Sequence, residues 1–139
     1  MTRNAGGLPS MKLKTLWCNN NILTTLNIST NTALNFLACA ANQLTSLDLS
    51  NNTALEVLIG EVNFFTSLDL STNVALETAH LSNNLLTTLD VTQNTLLENL
   101  FLSSNSITSI NLSANTVLKQ LQMYHNSLTT LCYQQPNKS

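Results

Sequence analysis

Residues 34–54 read LNFLACAANQLTSLDLSNNTA, and residues 55–75 read LEVLIGEVNFFTSLDLSTNVA. Laid over one another they share Leu34/Leu55, Leu37/Leu58, Asn42/Asn63, Leu47/Leu68 and Asn52/Asn73, each pair 21 residues apart. The step runs on in both directions without slipping: Leu13, Leu34, Leu55, Leu76, Leu97 and Leu118 form one column. Asn21 to Asn126 form a second, and Thr24 to Thr129 a third. Six copies of L-x-x-L-x-(C/L)-x-x-N-x-L-T-(S/T)-L-(D/N)-L-S-x-N-(T/V)-(A/V/L) fill the chain from Leu13 to about Tyr133. Self-similarity at a fixed period of this length signals a solenoid, in which no repeat buries its apolar face alone.

Each repeat is itself doubled, because Leu13, Leu16, Cys18 and Asn21 have the same spacing as Leu23, Leu26, Ile28 and Asn31. Alternation in Leu16-Trp17-Cys18 turns Leu and Cys inward and Trp outward, as in a strand, and Leu26-Asn27-Ile28 alternates likewise. The pattern predicts a β-rich solenoid of six 21-residue coils, with short parallel strands stacked about 4.8 Å apart on one or both faces. Asparagines in fixed columns need bonded amides if they are buried. The Asn21–Asn126 and Asn31–Asn115 columns therefore read as ladders that bridge the corner backbone of adjacent coils.

The unit, with Cys18 and Cys39 in place of a core Leu, resembles the 21-residue leucine-rich repeats of bacterial surface proteins, and is particularly similar to the internalin J type. The resemblance covers Leu13 to Tyr133. It implies a leucine-rich-repeat fold, a protein partner held on the strand face, and a secreted or cell-surface bacterial protein that works in adhesion or protein recognition.

Because the six copies serve as each other's control, the varying positions stand out. Outward strand positions run Thr15, Phe36, Val57, Thr78, Asn99, Gln120, then Trp17, Ala38, Ile59, His80, Phe101, Gln122, then Asn19, Ala40, Glu61, Ser82, Ser103, Tyr124. Solvated positions have no need of large apolar groups, and neighbouring ones form a patch of the kind that marks an interaction site. The expected partner-binding strip is Trp17, Phe36, Val57, Ile59, His80, Phe101 and Tyr124. Two acidic columns accompany it: Glu56/Glu77/Glu98, with Lys14 and Lys119 expected to cap the run, and Asp48/Asp69/Asp90, expected to accept turn hydrogen bonds rather than share a calcium ion. The paired Thr and Ser columns at 24/25 through 129/130 offer a hydroxyl array that orders water or ice on one reading and serves turn chemistry on the other.

Composition narrows the rest. Five Lys+Arg and seven Asp+Glu among 139 residues leave a net charge of −2 and no basic footprint for nucleic acid. No apolar run approaches the roughly 18 residues of a membrane helix, and the first residues lack the apolar stretch of a secretory signal. No G-x-S-x-G, P-loop or C-x-x-C occurs, and His80 and His125 fall too far apart to share a metal. The expectation is thus no enzyme, no cofactor and no metal. Cys18 and Cys39 point inward in parallel, a poor disulfide geometry, while Cys132 takes an Asp/Asn position and is expected to be exposed. Gly60 and Ala79 stand where other coils hold larger core residues, so the middle of the solenoid is expected to be underfilled or compressed. Residues 1–12 read as a leading segment and 134–139 as a tail. Neither resembles a capping element, so self-association through the solenoid ends, extending into a filament, is the alternative to partner binding.

Overall fold

The computed structural model describes residues 12–133; residues 1–11 and 134–139, read above as most of a leading segment and as a tail, lie outside the described residues. One strand opens each coil: β1 (Thr15–Trp17), β2 (Phe36–Ala38), β3 (Val57–Ile59), β4 (Thr78–His80) and β5 (Asn99–Phe101). The sixth coil contributes β7 (Gln120–Gln122), and β6 (Ser109–Asn111) and β8 (Thr130–Cys132) lie in the second halves of the last two coils. The first strands form a six-stranded sheet in the order β1-β2-β3-β4-β5-β7. Every pairing is parallel and in register at the 21-residue step, from Leu16↔Leu37 to Leu100↔Leu121.

On the opposite side strands are sparse. Among the described residues only β6 and β8 pair there, and the alternating Leu26-Asn27-Ile28 of the first coil is not a strand. The competing interaction is local. Asp48 Oδ1 accepts the Ser50 amide at 3.0 Å and its hydroxyl at 2.6 Å, and Asp90 does the same with Thr92. A side chain that captures the backbone two residues on bends it into an Asx turn instead of leaving it extended. Asn111 accepts the Ser113 amide in the same way at 3.0 Å and still ends β6, so the turn by itself does not exclude pairing; β6 pairs with β8, whose Cys132 carries no such oxygen.

The core is a stack of leucine layers. Leu34, Leu55, Leu76 and Leu97 are completely buried, as are Leu44, Leu86 and Ile107, and Ile28, Leu49, Leu70, Val91 and Leu112 close the far side. The two asparagine columns thread its corners as expected. Asn84 Nδ2 donates to the carbonyls of Gly60 one coil back (3.1 Å) and of Leu81 (3.0 Å), while its Oδ1 accepts the Phe65 amide at 3.1 Å. Asn73 Nδ2 reaches Leu49 O and Asn52 O at 3.1 and 2.9 Å, and the same pair of bonds recurs at Asn52, Asn94 and Asn115. Each amide thus fastens its coil to the one before.

At Gly60 the solenoid is tightly filled rather than underfilled. A Cβ built on Gly60 would lie 3.3 Å from Phe65 Cε2 and 3.3 Å from Leu81 Cδ2. The space a leucine would take is occupied by the ring of Phe65, itself fully buried, in a column that elsewhere holds Leu or Ile. Glycine in one column is offset by an enlarged neighbour in another, which keeps the interior close-packed.

Candidate functional site

Parallel register fixes which outward side chains meet. Strand pairing sets Trp17 opposite Ala38, Ala38 opposite Ile59, Ile59 opposite His80 and His80 opposite Phe101, while Phe36 faces Val57 in the adjoining column. Neighbouring strands lie about 4.8 Å apart, so large side chains touch within one column and diagonally between adjoining columns. The rings of Trp17 and Phe36 are 4.5 Å apart by centroid at 33°, and those of His80 and Phe101 are 4.2 Å apart at 49°. Val57 and Ile59, both on β3, bridge the two clusters. Ala38 is completely buried although it points outward, flanked by Trp17 and Ile59.

Exposure differs along the strip. Trp17 is 67% exposed and Tyr124 61%, whereas Phe36, Val57, Ile59, His80 and Phe101 are half-buried among one another. Tyr124 stands beyond the end of β7, and its ring meets His125 edge-on at 5.4 Å, so it joins the same face without joining either ring pair.

The sequence reading treated only strand columns and missed the apolar groups beside them. Ile22, Phe64 and Leu85 are exposed in a column that otherwise holds Gln43, Ser106 and Ser127, and Val62 is exposed just before Phe64. Residue type was the available signal, since three large hydrophobes occupy a column whose other members are polar. Val74, Leu96 and Val117 are exposed at the turn that leads into the next strand. Six residues just ahead of the first asparagine ladder take a left-handed conformation: Asn20, Ala41, Val62, Asn83, Ser104 and His125. Asparagine tolerates that region and β-branched valine does not, so Val62, at φ 56°, is the strained member.

Electrostatics on this face are acidic. Backbone bonds from Glu77 N to Glu56 O and from Glu98 N to Glu77 O, both 2.8 Å, hold the glutamate column at one strand spacing. Lys119 Nζ pairs with Glu98 Oε1 at 2.8 Å. The expected cap at the other end does not form among the described residues: Lys14 adjoins Asn35, which separates it by a full coil from Glu56, and makes no ion pair.

The remaining ionisable groups are engaged locally. Hydrogen bonds from Ser50, Ser71 and Thr92 hold the carboxyls of Asp48, Asp69 and Asp90 below their ordinary value of 3.8. Among the described residues no cluster of three or more His, Cys, Asp or Glu is placed to hold a metal ion. Burial pushes the Cys39 thiol up to about 12, with the neighbouring Cys18 adding to the shift, and raises Cys18 as well. Cys18 and Cys39 are free thiols in the core column, and Cys132 is free and exposed. No helix among the described residues is long and apolar enough to cross a membrane.

No family model and no curated protein matches the chain. Among solved structures it is similar to the functional domain of InlJ from Listeria monocytogenes, which includes a cysteine ladder. The identity is 34% over 85% of this chain and 31% of that one, with a TM-score of 0.72. A leucine-rich-repeat protein of Leptospira interrogans matches at 25% identity over 84% of this chain and 32% of that one, with a TM-score of 0.81. The internalin InlF from Listeria monocytogenes matches at 25% over 86% and 41%, with a TM-score of 0.78. The chain therefore spans about a third of the length of the first two and somewhat more of the third. The inward column of this chain that begins at Cys18 runs Cys18, Cys39, Gly60, Leu81, Leu102, Met123, so it holds cysteine in its first two coils only. With six 21-residue coils, a parallel sheet in strict register and the architecture of these proteins, the chain is a leucine-rich-repeat solenoid similar to those of these bacterial proteins.

Proposed function

We propose that the chain is a non-catalytic protein-recognition module, part of a surface or secreted bacterial protein that acts in adhesion, and that it binds its partner on the outer face of the six-stranded sheet. The observation that carries this is the run of large side chains on that face. Trp17 and Phe36, then Val57 and Ile59, then His80 and Phe101 follow one another across five strands, while the leucine core beneath is complete without them. A solvated face with ringed and branched side chains in contact supplies the aromatic anchors on which protein interfaces concentrate their energy. The likeness to internalins supports the surface or secreted setting.

The test is a partner screen on the whole chain with Phe36→Ser and Phe101→Ser. Both are half-buried and outward, so each variant keeps the melting behaviour of the parent and loses capture. Capture unchanged in both removes the sheet face as the binding surface. A second reading, end-to-end self-association into a filament, draws on Leu13, Leu16, Leu118 and Leu121, which are only half-buried among the described residues of the first and sixth coils. Light scattering across a concentration series decides it, since a size that stays monomeric removes that reading.

A further inference from the structure

We infer that the partner docks on the third coil through a basic and apolar segment, with its cationic side chains at Glu56, Glu61 and Glu77 and its apolar ones against Ile59, Val62 and Phe64. The inference rests on the sheet face being the recognition surface and goes further by naming where on it the partner sits and with what chemistry.

In the stretch Gly60–Phe65 the third coil departs from the fixed positions of the repeat at Gly60 and Phe65, and carries Glu61, Val62 and Phe64 at positions that vary among the coils. The two departures belong to the core and cancel: Gly60 leaves the space that Phe65 fills. The other three residues are not set by the core. Glu61 puts a carboxylate where the other coils have Asn19, Ala40, Ser82, Ser103 and Tyr124. Val62 holds a left-handed backbone at φ 56°, where Asn20 and Asn83 serve other coils without a β-branched side chain, and it is 49% exposed. Phe64 is equally exposed, in a column that holds Gln43, Ser106 and Ser127 but also the exposed Ile22 of the first coil, and the next coil sets the exposed Leu85 beside it. Asparagine is the favoured residue at the left-handed position of Val62, and the core does not need the exposed Phe64, so the two form an exposed apolar ridge beside the sheet that is a feature of the surface.

Charge complementarity selects the occupant. The apolar outward residues of β3, Val57 and Ile59, lie between Glu56 at the strand's start and Glu61 past its end. Along an extended chain Glu56 and Glu61 are about 17 Å apart. Glu77 lies one strand spacing from Glu56. Lys119 neutralises Glu98, and among the described residues no cation pairs with Glu56, Glu61 or Glu77. Like charges held together by backbone bonds repel until a cation comes between them. A segment with basic side chains toward its ends and apolar ones between them satisfies both features. An anionic lipid surface or a nucleic acid is repelled by the same three carboxylates. A second copy of this chain has few cations to offer, five Lys+Arg in all.

The probe is a displayed library of random peptides of about 12 residues, panned at low salt against the whole chain. Synthetic copies of the enriched peptides are then titrated by calorimetry against the parent, a Glu56→Gln/Glu61→Gln/Glu77→Gln variant, Val62→Asn/Phe64→Ser and Phe101→Ser. Enriched peptides are expected to carry Lys or Arg in excess, interleaved with apolar residues. The triple Gln variant is expected to bind them about tenfold more weakly at low salt, a difference that shrinks at about 0.5 M NaCl. Val62→Asn/Phe64→Ser is expected to lose affinity to a similar degree without any lowering of the melting temperature. Peptides with no basic excess, or peptides indifferent to both third-coil variants but lost in Phe101→Ser, overturn this inference and leave the recognition face standing. Peptides indifferent to all three variants, or a library that yields no binder, overturn both.

Discussion

Gly60 and Phe65 are a matched pair, and a double-mutant cycle measures the match. In Gly60→Leu the new side chain starts from a Cβ already 3.3 Å from both Phe65 Cε2 and Leu81 Cδ2, and its further carbons have to enter the volume the ring holds. Overpacking of a filled core costs about 1–3 kcal/mol. In Phe65→Leu the ring is withdrawn from over a residue that has no side chain, which leaves a void and costs about 1–2 kcal/mol. Neither defect survives in the double variant, because leucine at both positions is the arrangement the fourth coil already has in Leu81 and Leu86, both completely buried. The two single losses sum to about 2–5 kcal/mol, the double variant is expected to lose no more than about 1 kcal/mol against the parent, and the coupling is therefore about 1–5 kcal/mol. Urea unfolding of the four proteins at a common m-value is the assay. Single effects that add to within about 0.5 kcal/mol would falsify the compensation and return the middle coils to an underfilled state.

Val62→Asn relieves a β-branched residue from the left-handed region and is expected to stabilise by about 1 kcal/mol, raising the urea midpoint; an unchanged or lower midpoint contradicts the strain. Asn84→Ala removes an amide that donates to Gly60 O and Leu81 O and accepts from Phe65 N, leaving buried backbone groups unpaired, and is expected to cost about 3 kcal/mol or more. Asp48, Asp69 and Asp90 have carboxyls lowered by their turn hydrogen bonds. Their contribution is therefore fully present above the ordinary value of 3.8 and is lost as pH falls below it through the lowered values. Replacing all three with Asn, which keeps an acceptor oxygen, is expected to flatten the acid limb of the stability profile; an unaltered limb counts against the assignment. In native protein a thiol reagent is expected to label the exposed Cys132 first and Cys39 only on unfolding, since burial raises the Cys39 thiol to about 12.

The solenoid was legible because its signal is repeated: Leu34, Leu55, Leu76 and Leu97 report the same inward position four times over, and Asn42, Asn63 and Asn84 the same corner. What one coil does once was harder to read. Gly60 looked like a gap because columns were compared singly, while its compensation lies in a different column, five residues on, at Phe65. Leu26-Asn27-Ile28 alternates like a strand but turns locally at Asn27, and on that face only the last two coils pair, at β6 and β8, so alternation alone does not say where pairing occurs. Of the expected strip, the sheet register brings together Trp17 with Phe36 and Ile59 with His80 and Phe101, whereas Tyr124 turns to His125. The ridge of Val62, Phe64 and Leu85 escaped because it lies in a loop, where no periodic rule distinguishes an outward apolar residue from an inward one.

The ladder bonds recur with identical sequence separations, each second-ladder amide reaching back 24 and 21 residues. A coil is therefore joined to its predecessor by features that every coil shares, and one whole unit fits wherever another does. Duplication, deletion or exchange of a 21-residue unit leaves the interior intact while it rewrites the order of outward side chains, so new surface patterns arise by cut-and-paste rather than by point change. A break between Gly60 and Phe65 is the exception. It separates two residues that fit only each other, which makes the third coil a unit to be inherited whole.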